Sequence, residues 1–292
     1  MTLEQLRIFI AVAGHQHVTR AAAELHLTQS AVSAAIAALE RRYDVRLFDR
    51  VGRGIVLTST GQQFLREARA VLARADAAVQ VLDELAGLKR GSVTLAASQT
   101  VANYWLPPRL QAFRAAHPHI TLQLEIVNTT QAAQAVHEGR AELGFVEDDI
   151  DDPTLAVRRI DGDRLVIVVG SRHPWAGQKT IAASRLKASC WVLREPGSGT
   201  RAMFERGLRK AGIKPSELRI ALELPSNEAV RAAVESSDCA TALSELVAAS
   251  SLAAGTLHRV DFELPRRSFA VLRHKERSPS QAAKALLAQL GC

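Results

Sequence analysis

The sequence predicts a multi-domain chain of α and α/β parts: a small helical head, one long helix and an α/β body. Three observations predict it. Residues 1–58 carry short helical patterns and then a hairpin pattern; residues 59–90 carry one alanine-rich helical pattern; from residue 91 to 292 strand-like runs alternate with helical ones. The 292 residues suffice for two or three domains, and 47% hydrophobic residues suffice for sizeable cores. A net charge of +7 is compatible with a polyanionic partner and does not identify one.

In the head, Thr2 and Gln5 have capping-box spacing, and Leu3, Leu6, Phe9, Ile10 and Ala13 follow at helical spacing. A second helix holds TRAAAEL, with Ala21, Ala22 and Leu25 on one face. HLT is a tight connection, after which Thr28 can cap a third helix, QSAVSAAIAALERRY. Val32, Ile36 and Leu39 must face a core. The opposite surface starts with Gln29, Ser30 and Ser33, short and uncharged, and Ala34 and Ala35 permit close approach. A helix pair with such an N-terminal face suits the reading of base edges in the major groove: glutamine pairs bidentately with adenine and serine bonds any base. The plain alternative is a three-helix bundle with a solvated face.

A hairpin follows, with Val45, Leu47 and Phe48 on one arm, Ile55 to Leu57 on the other and VGRG at the tip. Arg50 and Arg53 beside the tip, with Arg20, are candidate phosphate contacts, which give affinity without sequence information. Residues 1–58 hold seven arginines against five acids, so binding must rest on arginine placement and on pairing of two chains. Leu6, Phe9, Ala21, Ala22, Leu25, the Gln29–Ser33 run, Ile36, Leu39, Glu40, Leu47, Phe48, Arg50, Arg53, Leu57, Thr58 and Gly61 together resemble the winged helix-turn-helix signature of LysR-type transcriptional regulators. Two residues depart from it. His17 stands where a capping serine is usual, and Asp44 where a glycine is common.

In the long helix, Phe64, Ala68, Val71, Ala75, Ala78, Leu82 and Leu85 form a heptad seam, widened by Leu65, Leu72 and Val79, and Gly87 and Gly91 bracket its end. An apolar stripe this wide predicts pairing with a second copy. The resemblance implies the same: a linker helix that dimerises, with dimers or dimers of dimers on a partly palindromic double-stranded DNA site.

In the body, strands are expected at 92–98, 120–127, 142–146, 164–170, 190–194, 218–224, 239–244 and 267–275. Several are apolar on both faces, as in a sheet covered on both sides. Ligands collect where such strands end and helices begin. Those junctions hold Ser98, Gln99 and Thr100; Asn103 and Tyr104; Asn128, Thr129 and Thr130; Ser226 and Asn227; and the stretch REPGSGTR, Arg194–Arg201. Hydroxyls, amides and helix N-termini suit a small oxyanion. The bland reading is that each is an N-cap. ASQTVANYWLP, IVNTTQ, FVED and LREPGSGTR resemble the branch of the LysR-type family concerned with sulfur and carbon assimilation. The resemblance implies a type II periplasmic-binding-protein-like body of two subdomains, 92–161 with 267–292 and 162–266, crossing near Asp161 and Arg266–Arg267. It implies an effector site at Ser98, Gln99, Thr100, Asn128, Thr129, Gly197, Ser198, Gly199, Thr200 and Arg201 for a small inorganic anion or phosphorylated metabolite. Gln99 departs from an expected serine or threonine, and Ser237–Asp238 from a glycine-rich turn.

Other constellations carry less. GSGTR lacks the lysine and spacing of a nucleotide-binding loop, and Glu195 is the one acid beside it. EDDIDD, Glu147–Asp152, reads as a solvated acidic loop, and His15/His17 and His117/His119 as exposed histidines. Cys190, Cys239 and Cys292 form no CxxC pair, so reduced thiols are expected, the first two buried. The start lacks a secretory pattern and no apolar run approaches a membrane span, so a soluble cytoplasmic protein is expected, with no membrane partner. The reading is a one-component regulator with no catalytic residues, metal or cofactor, whose partners are DNA, a small anionic effector, its own copies and RNA polymerase. The alternatives are a cytoplasmic solute-binding protein without a DNA role and an enzyme with a phosphate site.

Overall fold

The computed structural model describes residues 1–51, 54–85, 91–147, 150–178 and 180–292. It divides into two compact units, Met1–Leu88 with Glu138–Arg140, and Lys89–His137 with Ala141–Cys292. Among the described residues no helix is long and apolar enough to cross a membrane.

The first unit opens with α1 (Leu3–His15), where Thr2 and Gln5 close the expected capping box. α2 (Val18–Glu24) follows His17, which makes no side-chain cap and leaves its buried Nδ1 without a partner. Thr28 Oγ1 accepts from Ala31 N at 3.2 Å and starts α3 (Gln29–Tyr43). α3 ends on Asp44 at φ +50°, the left-handed conformation for which a glycine is the easier residue. β1 (Phe48–Val51) and β2 (Gly54–Leu57) pair as an antiparallel hairpin, and α4 (Ser59–Leu85) follows. Leu6, Phe9, Val12, Val32, Ile36 and Leu39 form the core. The Phe9 ring lies 5.4 Å from that of Phe48 and 4.8 Å from that of Phe64, which locks the hairpin and α4 onto the bundle.

α4 changes role along its length. Phe64, Leu65, Ala68 and Leu72 pack on the head core, whereas Val71, Val79 and Leu82 are 42%, 55% and 66% exposed. The Leu85 side chain, Gly87 and the tip residue Arg53 lie outside the described residues. Gly61 is fixed by close approach: a Cβ there would stand 2.1 Å from the Leu47 carbonyl oxygen. Gly61→Ala is expected to cost the head about 1–3 kcal/mol. Helical circular dichroism should show an earlier transition, while fluorescence of Trp105, Trp175 and Trp191, all in the second unit, stays unmoved. A single unshifted transition by both probes would refute the clash.

The second unit runs β3 (Gly91–Ser98), a short π-helical turn Val101–Trp105, α5 (Leu106–Ala116), β4 (Ile120–Val127), α6 (Thr129–Glu138) and β5 (Leu143–Glu147). It continues with β6 (Leu155–Gly170), β7 (Cys190–Arg194), α7 (Gly199–Lys210), β8 (Arg219–Leu224), α8 (Asn227–Glu235) and β9 (Ala240–Ser244). Last come α9 (Glu245–Ala253), β10 (Leu257–Val260), β11 (Arg266–His274) and α10 (Gln281–Gln289). The strand order is β4-β3-β5-β11-β6-β9-β7-β8, with β10 on β6. β3, β4 and β5 are parallel, as are β7, β8 and β9; β6 and β11 run antiparallel to their neighbours. Alternate residues of β6 feed opposite cores: Ile167 and Val169 pack with Trp191 and Phe204, Val166 and Val168 with Val230 and Leu243.

Two expectations change here. The strand expected at 164–170 begins already at Leu155, so that Asp161 lies inside a continuous strand, and Arg266–Arg267 open β11. β6 spans 16 residues, pairing with β11 through Arg164 and with β9 from Leu165. The part up to Asp163 carries Arg158, Arg159, Asp161 and Asp163, and such charge hides a strand from a hydrophobicity reading. The cysteines are the second correction. Cys190 and Cys239 are buried as expected, but they are joined in a disulfide instead of standing as separate thiols. The pairing comes from strand register, because Trp191 of β7 lies beside Ala240 of β9. No local spacing encodes that neighbourhood.

Candidate functional site

Two surfaces gather the residues singled out above. On α3, Thr28, Gln29, Ser30 and Ser33 are exposed, while Val32, Ile36 and Leu39 are buried beneath them. Thr28 Oγ1 lies 3.0 Å from Ser30 Oγ, and Thr28 supplies the helix cap. Arg20 and Arg50 are exposed. Glu40, at the far end of the helix, accepts from Leu47 N at 2.8 Å and Phe48 N at 3.3 Å. It thereby fixes the hairpin against α3. The sequence marks Glu40 as part of the family resemblance but does not show that it holds the hairpin.

The second surface is a cleft in the α/β unit, where the ends of β3, β4 and β5 meet the starts of α7 and α8. Its two lips touch directly. Gln99 Nε2 donates to the Pro225 carbonyl at 2.7 Å, and Gln99 Oε1 accepts from Asn227 N at 2.8 Å. Asn128 Nδ2 donates to Glu195 at 3.2 Å, and Thr130 N donates to the Gly197 carbonyl at 3.2 Å. Tyr104 donates to Glu228; burial and that bond push its pKa up to about 12, so it remains a donor at neutral pH.

Two buried arginines sit inside. Arg194 clamps Glu195 with Nε at 2.8 Å and Nη2 at 2.9 Å, and its Nη1 donates to Asn227 Oδ1 at 2.5 Å. Arg267, 3% exposed, donates to Asp163 through Nε and Nη2, to Thr200 Oγ1 at 3.1 Å and to Thr100 Oγ1 at 3.4 Å. Glu147 is 3.4 Å from Arg267 Nη1; burial pushes its pKa up, while the guanidinium pulls it down. Glu147 is thus no part of a solvated acidic loop. It closes β5 and faces inward, being 2% exposed, because the apolar run before it carries it into the interior. Of the rest of EDDIDD, Asp152 accepts from Thr154 and pairs with His137, and Asp148 and Asp149 lie outside the described residues.

The ten expected effector residues divide. Thr100 and Thr200 converge on Arg267, and Gln99 reaches α8. Asn128 reaches Glu195, and Thr129 donates to the Glu147 carbonyl at 3.1 Å. Ser198 is 3% exposed and caps α7. Gly197 lies at φ +90°, and a Cβ on Gly199 would meet the Glu147 carbonyl oxygen at 2.3 Å. The glycines therefore let the two lips approach each other. Arg201 turns away from the cleft and bonds Glu205, Glu223 and the Arg194 carbonyl, which braces the loop. Ser98 is 2% exposed and its Oγ has no partner. The sequence offers Arg267 as a crossing residue at the start of a strand and Arg194 as the first residue of REPGSGTR, and shows neither as a buried arginine inside the cleft. The available signal was an arginine placed next to an apolar strand.

Comparison with known proteins finds a family match for each of the two parts that carry these surfaces. Residues 3–62 match the family model described as bacterial regulatory helix-turn-helix protein, lysR family, and residues 86–291 match that described as LysR substrate binding domain. The chain is similar to the RuBisCO operon transcriptional regulator of Allochromatium vinosum, 33% identical over 93% of this chain and 85% of that one. The structure of full-length CbnR complexed with its target DNA superposes with a TM-score of 0.69 at 24% identity, over 100% of this chain and 99% of that one, a likeness of fold. The regulatory domain of Synechocystis CcmR in complex with 2-PG superposes with a TM-score of 0.62 at 25% identity, over 69% of this chain and 96% of that one.

Proposed function

The chain belongs to the LysR family of bacterial transcriptional regulators, and from that premise we propose that it binds promoter DNA as a homo-oligomer in the cytoplasm, under control of a small anionic metabolite. The third helix would enter the major groove, with Gln29, Ser30 and Ser33 at base edges and Arg20, Arg50 and Arg53 on phosphates. The exposed Val71, Val79 and Leu82 would be covered by α4 of a second copy. That pairing sets the spacing of two reading helices.

One observation carries the sensing half: a buried hydroxyl without a partner, Ser98 Oγ, on the strand that ends beside Thr100 and Arg267. A buried polar group without a bond is costly, and a ligand oxygen would satisfy it. An anion entering there competes with Asp163 and Glu147 for Arg267, so binding rearranges contacts that join the lips. That gives it differential affinity for two cleft states, which any ligand-driven switch requires. The catalytic alternative loses its acid, because both oxygens of Glu195 are held by Arg194.

The experiment is binding to DNA from upstream of its own and neighbouring genes, measured against salt. Affinity should fall steeply as salt rises. Gln29→Ala should weaken specific binding about 5- to 150-fold, and Arg50→Ala should weaken all sequences alike and flatten the salt slope by about one. A shallow slope, or affinity unchanged by Gln29→Ala with Ser33→Ala, would dispose of the DNA reading. For the ligand, inorganic phosphate, sulfate and 2-PG are titrated in thermal-shift assays. Stabilisation lost in Ser98→Ala supports the site; no stabilisation by any of them counts against an anion.

A further inference from the structure

The ligand cleft leaves one chemical group unused, the Cys190–Cys239 disulfide at the N-terminal ends of the parallel strands β7 and β9. The two cysteines are 6% and 7% exposed, are 49 residues apart in sequence and have Cα atoms 4.7 Å apart. We propose that Cys190 and Cys239 form a reversible thiol–disulfide pair, a redox modification site that ties β7 to β9 and sets how firmly the Glu195–Arg201 loop is held.

Register supports the tie. β7 pairs with β8 over five residues and β6 with β9 over five, but β7 meets β9 through the single pair Trp191↔Ala240. The disulfide lies one residue before that pair on both strands, at the seam with the shortest ladder. Both strands then run to the cleft. β7 ends at Arg194, which holds Glu195 and Asn227, and β9 ends at Ser244, which donates to Asp163, the partner of Arg267. Opening the bond leaves the seam one backbone pair and side-chain packing.

The surroundings also accommodate the reduced form. Cys190 Sγ lies 3.4 Å from the carbonyl oxygen of exposed Asp238, so a thiol there has an acceptor without repacking. Reduction takes two electrons and two protons from two molecules of a small thiol. A thiolate attacks one sulfur, the Cys190–Cys239 bond breaks and a mixed disulfide forms. The second thiol releases it, leaving two cysteine thiols and the disulfide of the small thiol. Reoxidation by a small disulfide reverses these steps. In the reducing compartment where promoter DNA is bound, a disulfide is more often regulatory than permanent.

The test uses the full chain equilibrated in glutathione buffers of varied ratio, trapped by alkylation and weighed intact. Cys292, free in the structure, is the internal control and labels throughout. Cys190 and Cys239 should gain label together in one two-electron transition, absent from Cys190→Ser and Cys239→Ser. The oxidised form should melt higher, by up to on the order of 10 °C for a loop of this length. Amides of Glu195–Arg201 should exchange several-fold faster when reduced. Three labelled cysteines at every ratio, or a bond that persists at every ratio, overturns the redox pair. So does a stoichiometric zinc ion held by the thiols and Asp238, whose ligand atoms lie within 4.8 Å of one another. Equal loop exchange in both forms overturns the coupling. None of these readouts needs the ligand, so they stand apart from failure of the proposed sensing function on which the loop's regulatory meaning rests.

Discussion

Arg267→Met is expected to destabilise the α/β unit by about 3–5 kcal/mol at neutral pH. The guanidinium is buried and serves Asp163, Glu147, Thr100 and Thr200. Methionine roughly fills the volume but leaves two buried carboxylates facing each other with no cation. Burial already pushes the Glu147 pKa up, and without Arg267 it rises further. The sign follows. A carboxyl whose folded pKa lies above its unfolded value stabilises the fold most when protonated, and that contribution is lost as pH rises through the folded pKa. The mutant penalty should therefore shrink as pH falls. Urea unfolding followed by tryptophan fluorescence measures it, because all three tryptophans report on this unit. Adding Glu147→Gln should restore part of the loss, and Arg267→Lys should recover less than the wild type because one ammonium cannot span the same partners. A penalty below about 1 kcal/mol at neutral pH, with no pH dependence, would show that Arg267 does not hold the lips.

Arg267 also marks where the sequence stops being legible. The head could be read almost whole, because its signals are local: the Thr2/Gln5 box, the Thr28 cap and the spacing of Val32, Ile36 and Leu39 each lie within one helix. Strand positions in the body were readable from apolar runs such as CWVLR and RLVIVVG. Long-range pairing was not. Thr100 and Arg267 are 167 residues apart, and Cys190 and Cys239 meet only because β7 and β9 are neighbours in the sheet. The junction rule of α/β sheets brought Thr100, Asn128 and the REPGSGTR loop to one cleft. It could not say whether the loop's polar groups face a ligand or each other. The structure gives Arg201 to Glu205 and Glu223, and puts Arg194 and Arg267 inside.

Gly199→Ala separates the two meanings of that loop. Gly199 is the first residue of α7, where alanine is the better helix former, so the local effect alone favours the mutant. The added Cβ would stand 2.3 Å from the Glu147 carbonyl oxygen and 2.7 Å from Thr129 Oγ1. A strand carbonyl cannot swing aside, so α7 must draw back and the lips must part. The expected result is a unit that keeps its helical content but loses the Thr130 N to Gly197 carbonyl bond, now 3.2 Å. The Thr130 amide should then exchange more than tenfold faster, and anion stabilisation should fall with it. Ser198→Ala is the contrast: it removes the cap of α7, costs about 1 kcal/mol and leaves the lips in contact. If the Thr130 amide stays as protected in Gly199→Ala as in the wild type, the glycine is not there for lip contact. The space it leaves would then serve a ligand that approaches the loop backbone. If protection is lost only in Gly199→Ala, the loop works as the latch of a closing cleft, and a ligand acts by competing for the groups that now hold it shut.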